Sequence, residues 1–123
     1  MNSRYQELKN KIENKELIIL DGGTGTELQK RGIQMDDAAW CGITLERDKE
    51  VLIQIHSDYI HAGAEVISTN TYASNRIMLS AAGLEDKFQE INFRAIDAAI
   101  EARDRTRNDV LVAGSLGHRL PIE

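Results

Sequence analysis

Residues 20–28, LDGGTGTEL, place one acid, Asp21, between an apolar run and a helix-like run, and follow it with three glycines and two threonines. A carboxylate beside a turn rich in free amides is equipped to hold two opposite charges at once. Asp21 would receive an ammonium group. The backbone N–H groups of Gly22, Gly23 and Thr24, near a helix N-terminus, would receive a carboxylate. Acid and amide donors side by side match the head group of an amino acid.

Two other readings compete for the same residues. A dinucleotide loop needs G-x-G-x-x-G, and from Gly23 the pattern reaches Leu28 where the last glycine should stand. A P-loop needs a lysine in register, and none follows. GGTGT also resembles the glycine-threonine loop of tubulin-like GTPases, but nothing else in the chain supports that use. The plainest reading is a strand-to-helix turn, in which glycines supply left-handed backbone and Thr24 or Thr26 caps the helix TELQKRG. It leaves Asp21 unexplained, because an acid ending a buried strand is costly unless it is paired.

The elements that must position this turn follow from the apolar pattern. LIIL (17–20), AEVIST (64–69) and DVLVAG (109–114) are short β-branched runs that suit buried parallel strands. Helices lie between them. Val51, Leu52, Ile55, Tyr59 and Ile60 share one face of a helix closed by Gly63, and Phe88, Ile91, Ala95, Ile96, Ala99 and Ile100 share a face of another. A short helix spans NRIMLSAAG and ends at Gly83. Residues 1–16 form an N-terminal helical extension, with Tyr5, Leu8 and Ile12 packed on the domain. Alternating strands and helices imply an α/β fold of parallel βα units. In such sheets the site gathers at the carboxyl ends of the strands. The stretches that follow the three runs are DGGTGTE, NTYASN and GSLGHRLP, all rich in Gly, Ser, Thr or Asn, so they predict one functional rim.

The composition bounds the rest. The 123 residues are 41% hydrophobic and 28% charged, with a net charge of −5, which fits one globular domain and argues against nucleic-acid or anionic-membrane partners. The basic residues of EARDRTRND are interrupted by acids and read as a solvated helix end. The single cysteine, Cys41, cannot form an internal disulfide, and no apolar run approaches the roughly 20 residues of a membrane span. The polar first residues do not form a signal peptide's apolar core, so a cytoplasmic protein is expected.

Taken together, LDGGTGTELQKRG, Trp40, HSDYIHAGAEVISTNTYASN and VAGSLG resemble the start of the homocysteine S-methyltransferase family, from about Leu17 to Pro121. That family includes betaine- and S-methylmethionine-dependent enzymes and the homocysteine module of cobalamin-dependent methionine synthase. AGLEDKFQEIN is closer to the last, although the methyl donor is not legible. The resemblance implies a (β/α)8 barrel in which a methyl group moves to the zinc-bound thiolate of homocysteine. It assigns the homocysteine amino group to Asp21 and the carboxylate to the amides of Gly22, Gly23 and Thr24. Asn70 and Thr71 would line the pocket, and Trp40 would help cover the substrate. Read without the resemblance, Trp40 is a partly buried packing residue, and Asn70 and Thr71 form a capped turn.

The chain departs from the family in one respect. The family's zinc ligands are three cysteines, and Cys41 matches none of them; a small packed or semi-exposed thiol is its expected role. His56 and His61 are five apart on a helix and point in different directions, so His56 is expected to pack or cap; His118 is the only histidine on the rim. No metal site is expected. Three strands cannot close a barrel, which usually takes roughly 250 residues. The expectation is therefore a single incomplete domain over residues 1–123, the N-terminal part of a barrel, inactive alone and prone to self-association through its sheet edges. The alternatives are a non-catalytic α/β binding or interaction module that retains the pocket shape and, more weakly, a nucleotide-binding domain.

Overall fold

A computed structural model of the chain describes residues 3–118; Arg119, Leu120 and Pro121, which end the third rim stretch, lie outside the described residues. The elements run α1 (Ser3–Glu13), α2 (Thr24–Lys30), α3 (Lys49–His61), β1 (Val66–Ser68), α4 (Arg76–Ala81), α5 (Phe88–Thr106) and β2 (Leu111–Ala113), with short 3-10 turns at Glu46–Asp48 and Glu85–Lys87. β1 and β2 are parallel, with Val66 opposite Leu111 and Ser68 opposite Ala113. α5 is the crossover between them, long enough to bring the second strand back beside the first.

Helix α3 stops where its sequence stops it. Gly63 takes φ +112°, its N–H donates to the Ile60 carbonyl, and the Ala64 N–H reaches back to that of Tyr59. This pair of bonds satisfies the helix's last carbonyls and turns the chain directly into β1. Gly83 closes α4 in the same way, while the Asn75 side chain caps its start by accepting the Met78 N–H at 2.8 Å. The main core joins Leu52, Ile53 and Ile60 of α3 to Ile67 of β1 and Ala98, Ala99 and Ala102 of α5. Small alanines on α5 allow the two helix backbones to approach closely over the sheet. A second cluster, Ala39, Met78, Leu79 and Ile91, seats α4 and the first loop.

Three expectations change. LIIL is not a buried strand: only Leu20 forms a parallel bridge, to Val66. Leu17, Ile19 and Leu20 are 92%, 55% and 64% exposed, because β1 lies on one side of the segment and no strand among the described residues lies on the other. Its backbone nevertheless follows β1, with Glu65 N–H donating to Ile19 O at 2.8 Å and Asp21 N–H to Val66 O at 3.0 Å. The described sheet therefore has two strands and a bridged third segment. Tyr5 and Ile12 of α1 are exposed rather than packed; ion pairs of Arg4 with Asp109 and Lys11 with Glu65 tie the helix across the amino ends of the strands. Finally, neither Thr24 nor Thr26 caps α2. Gly23 is its N-cap, without a side-chain hydrogen bond, and Thr24 is already helical.

Candidate functional site

Asp21 sits where the bridged segment ends. Its Oδ2 accepts the Ser68 N–H at 2.8 Å, so the acid is fixed across the carboxyl end of β1 by a backbone donor. That bond answers the question its half-buried position raises, since a carboxylate out of water needs donors. Among the described residues no basic side chain pairs with it and Oδ1 accepts no hydrogen bond. One carboxylate oxygen is thus available beside the exposed backbone of Gly22 and Gly23. The amides that open α2 precede its first intrahelical bond and are free to donate outward.

The rim is held together by side chains that bond to backbone. Asn70, buried, donates through Nδ2 to the Cys41 carbonyl at 2.7 Å and to Thr44 Oγ1 at 3.3 Å, joining the end of β1 to the first loop. Thr71 Oγ1 donates to the Ser115 carbonyl at 2.7 Å and lies 2.8 Å from Thr69 Oγ1, which in turn accepts the Ser115 N–H at 3.2 Å. These bonds lace β1 to the segment that follows β2. Asn70 and Thr71 follow β1 on the rim, and Asn70 Nδ2 and Thr71 Oγ1 are engaged with neighbouring loops. Replacing Asn70 with Ala should strip the Cys41 carbonyl of its donor and cost about 1–3 kcal/mol, read as a lowered denaturation midpoint.

Trp40 stands apart from this group. It is 45% exposed with φ +52° and pairs with Asp36 in a tight antiparallel bridge, while Asp36 Oδ1 accepts the Ala38 and Ala39 N–H groups at 2.8 Å. Trp40 borders a groove of ≈ 450 Å³ with Met35, Ile43, Leu45 and Arg47, and none of Asp21, Gly22, Gly23, Thr24, Asn70 or Thr71 lines it. A hollow of ≈ 310 Å³ opens at the opposite, amino end of the strands, among α1 and residues 108–111; it is remote from the rim.

Two residues of the rim are not singled out by their spacing. Cys41 packs on the first turn of α2 so closely that a Cβ on Gly25 would lie 2.9 Å from its Sγ; burial pushes its thiol pKa up, away from the thiolate. Tyr59 donates its hydroxyl to the Gly23 carbonyl at 3.0 Å. Its place in the apolar face of α3 conceals that role, because periodicity records which side of a helix is buried and not what a polar tip reaches.

Residues 18–120 match the family model described as Homocysteine S-methyltransferase. The chain belongs to the homocysteine S-methyltransferase family. It is 32% identical over 111 residues to homocysteine S-methyltransferase YbgG of Bacillus subtilis, covering 82% of this chain and 35% of that protein. It is 30% identical over 114 residues to a selenocysteine Se-methyltransferase of Brassica oleracea var. italica, covering 80% and 33%. The structure is similar to that of the homocysteine methyltransferase MmuM from Escherichia coli in its oxidized form, with a TM-score of 0.76, 28% identity, and coverage of 94% of this chain and 41% of that one. MmuM in its metallated form matches with a TM-score of 0.72. The chain thus spans about a third of the length of these curated relatives, and its parallel βα arrangement is consistent with part of a barrel. Among the described residues no group of three His, Cys, Asp or Glu side chains could hold a metal ion. No helix among them is long and apolar enough to cross a membrane.

Proposed function

We propose that these residues form the amino-acid-recognising part of a homocysteine S-methyltransferase, about three strands and the helices between them of a (β/α)8 barrel that moves a methyl group to the sulfur of homocysteine. The observation that carries this reading is Asp21, anchored through one oxygen by Ser68 N–H with the other oxygen open beside the glycine turn, in a chain of this family. Asp21 Oδ1 accepts the substrate ammonium. The amides of Gly22, Gly23 and Thr24 receive its carboxylate. Asn70 and Thr71 keep the surrounding loops in register, while Trp40 borders a separate groove and takes no part in this reading. Selection of the amino-acid head group is then a cytoplasmic, small-molecule task needing no nucleic acid or membrane. No group of side chains among the described residues could hold the thiolate-activating zinc that the resemblance implies, so the chain alone is proposed to bind without turning over.

The test is titration of the purified chain with L-homocysteine, followed by amide NMR. Wild type should bind, with shifts centred on Asp21–Thr24. Asp21→Asn should weaken binding about 10-fold or more, the worth of a hydrogen bond to a charged group. Equal affinity for the variant, or methyl transfer by the chain with any donor, would overturn the reading. A second reading, a binding or interaction module without chemistry, is favoured by the exposed edge at Leu17, Ile19 and Leu20. A stable self-associated species indifferent to homocysteine would support it.

A further inference from the structure

We propose that Tyr59 is a positioning residue for the amino-acid site, its hydroxyl pinning the Asp21–Gly23 turn in the geometry that recognition requires. The inference rests on the head-group reading above and deepens it. The turn is held from two sides. Asp21 is bonded to Ser68 at one end, and Gly23 O accepts the Tyr59 hydroxyl at the other. The ring itself fills the space over Gly22: a Cβ there would stand 2.8 Å from the Tyr59 hydroxyl oxygen, 3.0 Å from Cε1 and 3.1 Å from Cζ. A side chain at position 22 would therefore have to displace the tyrosine ring, the wall against which the turn is set.

The anchor behind this wall is firm. Tyr59 projects from the last full turn of α3 and packs its ring on the cluster that unites α3, β1 and α5, so the hydroxyl carries the rigidity of the core out to the glycines. Burial, then the nearby carboxylates of Glu27 and Asp21, raise its pKa, which keeps the phenol protonated and donating. A phenylalanine would pack equally well but would leave Gly23 O without this donor. The loop would then sample other conformations, and the substrate would have to order it on binding.

The test compares wild type, Tyr59→Phe and Gly22→Ala by amide NMR without ligand and by calorimetric titration with L-homocysteine. For Tyr59→Phe, shift changes and faster amide exchange confined to residues 21–25 are expected. Its homocysteine Kd should rise about 3- to 10-fold, the worth of one neutral hydrogen bond, at an unchanged melting midpoint. Gly22→Ala displaces the ring and should reproduce the same local signature. It decides the matter if Tyr59→Phe fails to fold. Unmoved turn amides, or shifts spread along α3 with a lowered midpoint, would overturn the proposal. Absence of homocysteine binding by wild type would instead remove the head-group reading, while the ligand-free spectra still decide whether Tyr59 sets the turn.

Discussion

Acidifying the protein from pH 7 to pH 4 should remove about 3 kcal/mol of stability through one buried histidine. The cause is His56, fully buried in α3, with neither ring nitrogen hydrogen-bonded among the described residues. Burial disfavours the imidazolium and lowers its pKa from 6.5 to about 4. Above pH 6.5 the ring is neutral in both the folded and unfolded chains and contributes no penalty. As pH falls below 6.5, the unfolded chain binds a proton that the folded chain refuses until about pH 4, so stability declines across that window. At about 1.4 kcal/mol per pH unit, the loss is a large share of a small domain's margin. The lowered carboxylates, such as Glu65 beside Lys11 and Glu50 beside Arg105, act in the same direction, but only below their ordinary values near 4.5. Urea denaturation at half-unit pH steps checks the prediction. His56→Leu should flatten the decline between pH 6.5 and 4, and a decline that persists in the variant would refute the assignment.

Gly42→Ala should cost about 3 kcal/mol or more, at the severe end of overpacking. A Cβ at Gly42 would lie 2.5 Å from the Ala73 carbonyl oxygen, 2.6 Å from its carbon and 2.9 Å from the Ala39 oxygen. All three are backbone atoms, and Ala39 and Ala73 are themselves buried, so no flexible side chain can yield. The loop behind Cys41 would have to move, and the Asn70 bond to the Cys41 carbonyl would move with it. The damage should therefore reach the rim as well as the fold. Gly114→Ala, where a Cβ meets open space, is the matched control and should be neutral or slightly stabilising. Thermal melts of the two variants side by side give the answer, and equal midpoints would show that the loop gives way at little cost.

Helices α3 and α5 are legible because their apolar positions repeat at helical spacing, and Gly63 and Gly83 mark two ends. The rim is legible because three polar stretches follow three apolar runs. Exposure of Leu17, Ile19 and Leu20 is not legible, since a strand's burial depends on what lies beside it and not on its own residues. The cap of α2 misleads for a different reason. Two threonines invite a side-chain cap, but Gly23 occupies the position and Thr24 has already entered the helix. Asp21 announces itself as an acid in need of a charged partner, yet among the described residues its partner is the Ser68 amide, which every non-proline residue carries and no sequence can flag. Tyr59 hides because one residue serves both the core and the turn.

Asn70 and Thr71 grip their neighbouring loops through the main-chain carbonyls of Cys41 and Ser115. Any amino acid at positions 41 and 115 offers the same acceptor. Inheritance should therefore treat the two sides of each bond unequally, holding the donors fixed while position 115 drifts and position 41 is limited only by its packing on α2. Loops gripped in this way can then exchange side chains across a lineage without the scaffold having to be reinvented each time.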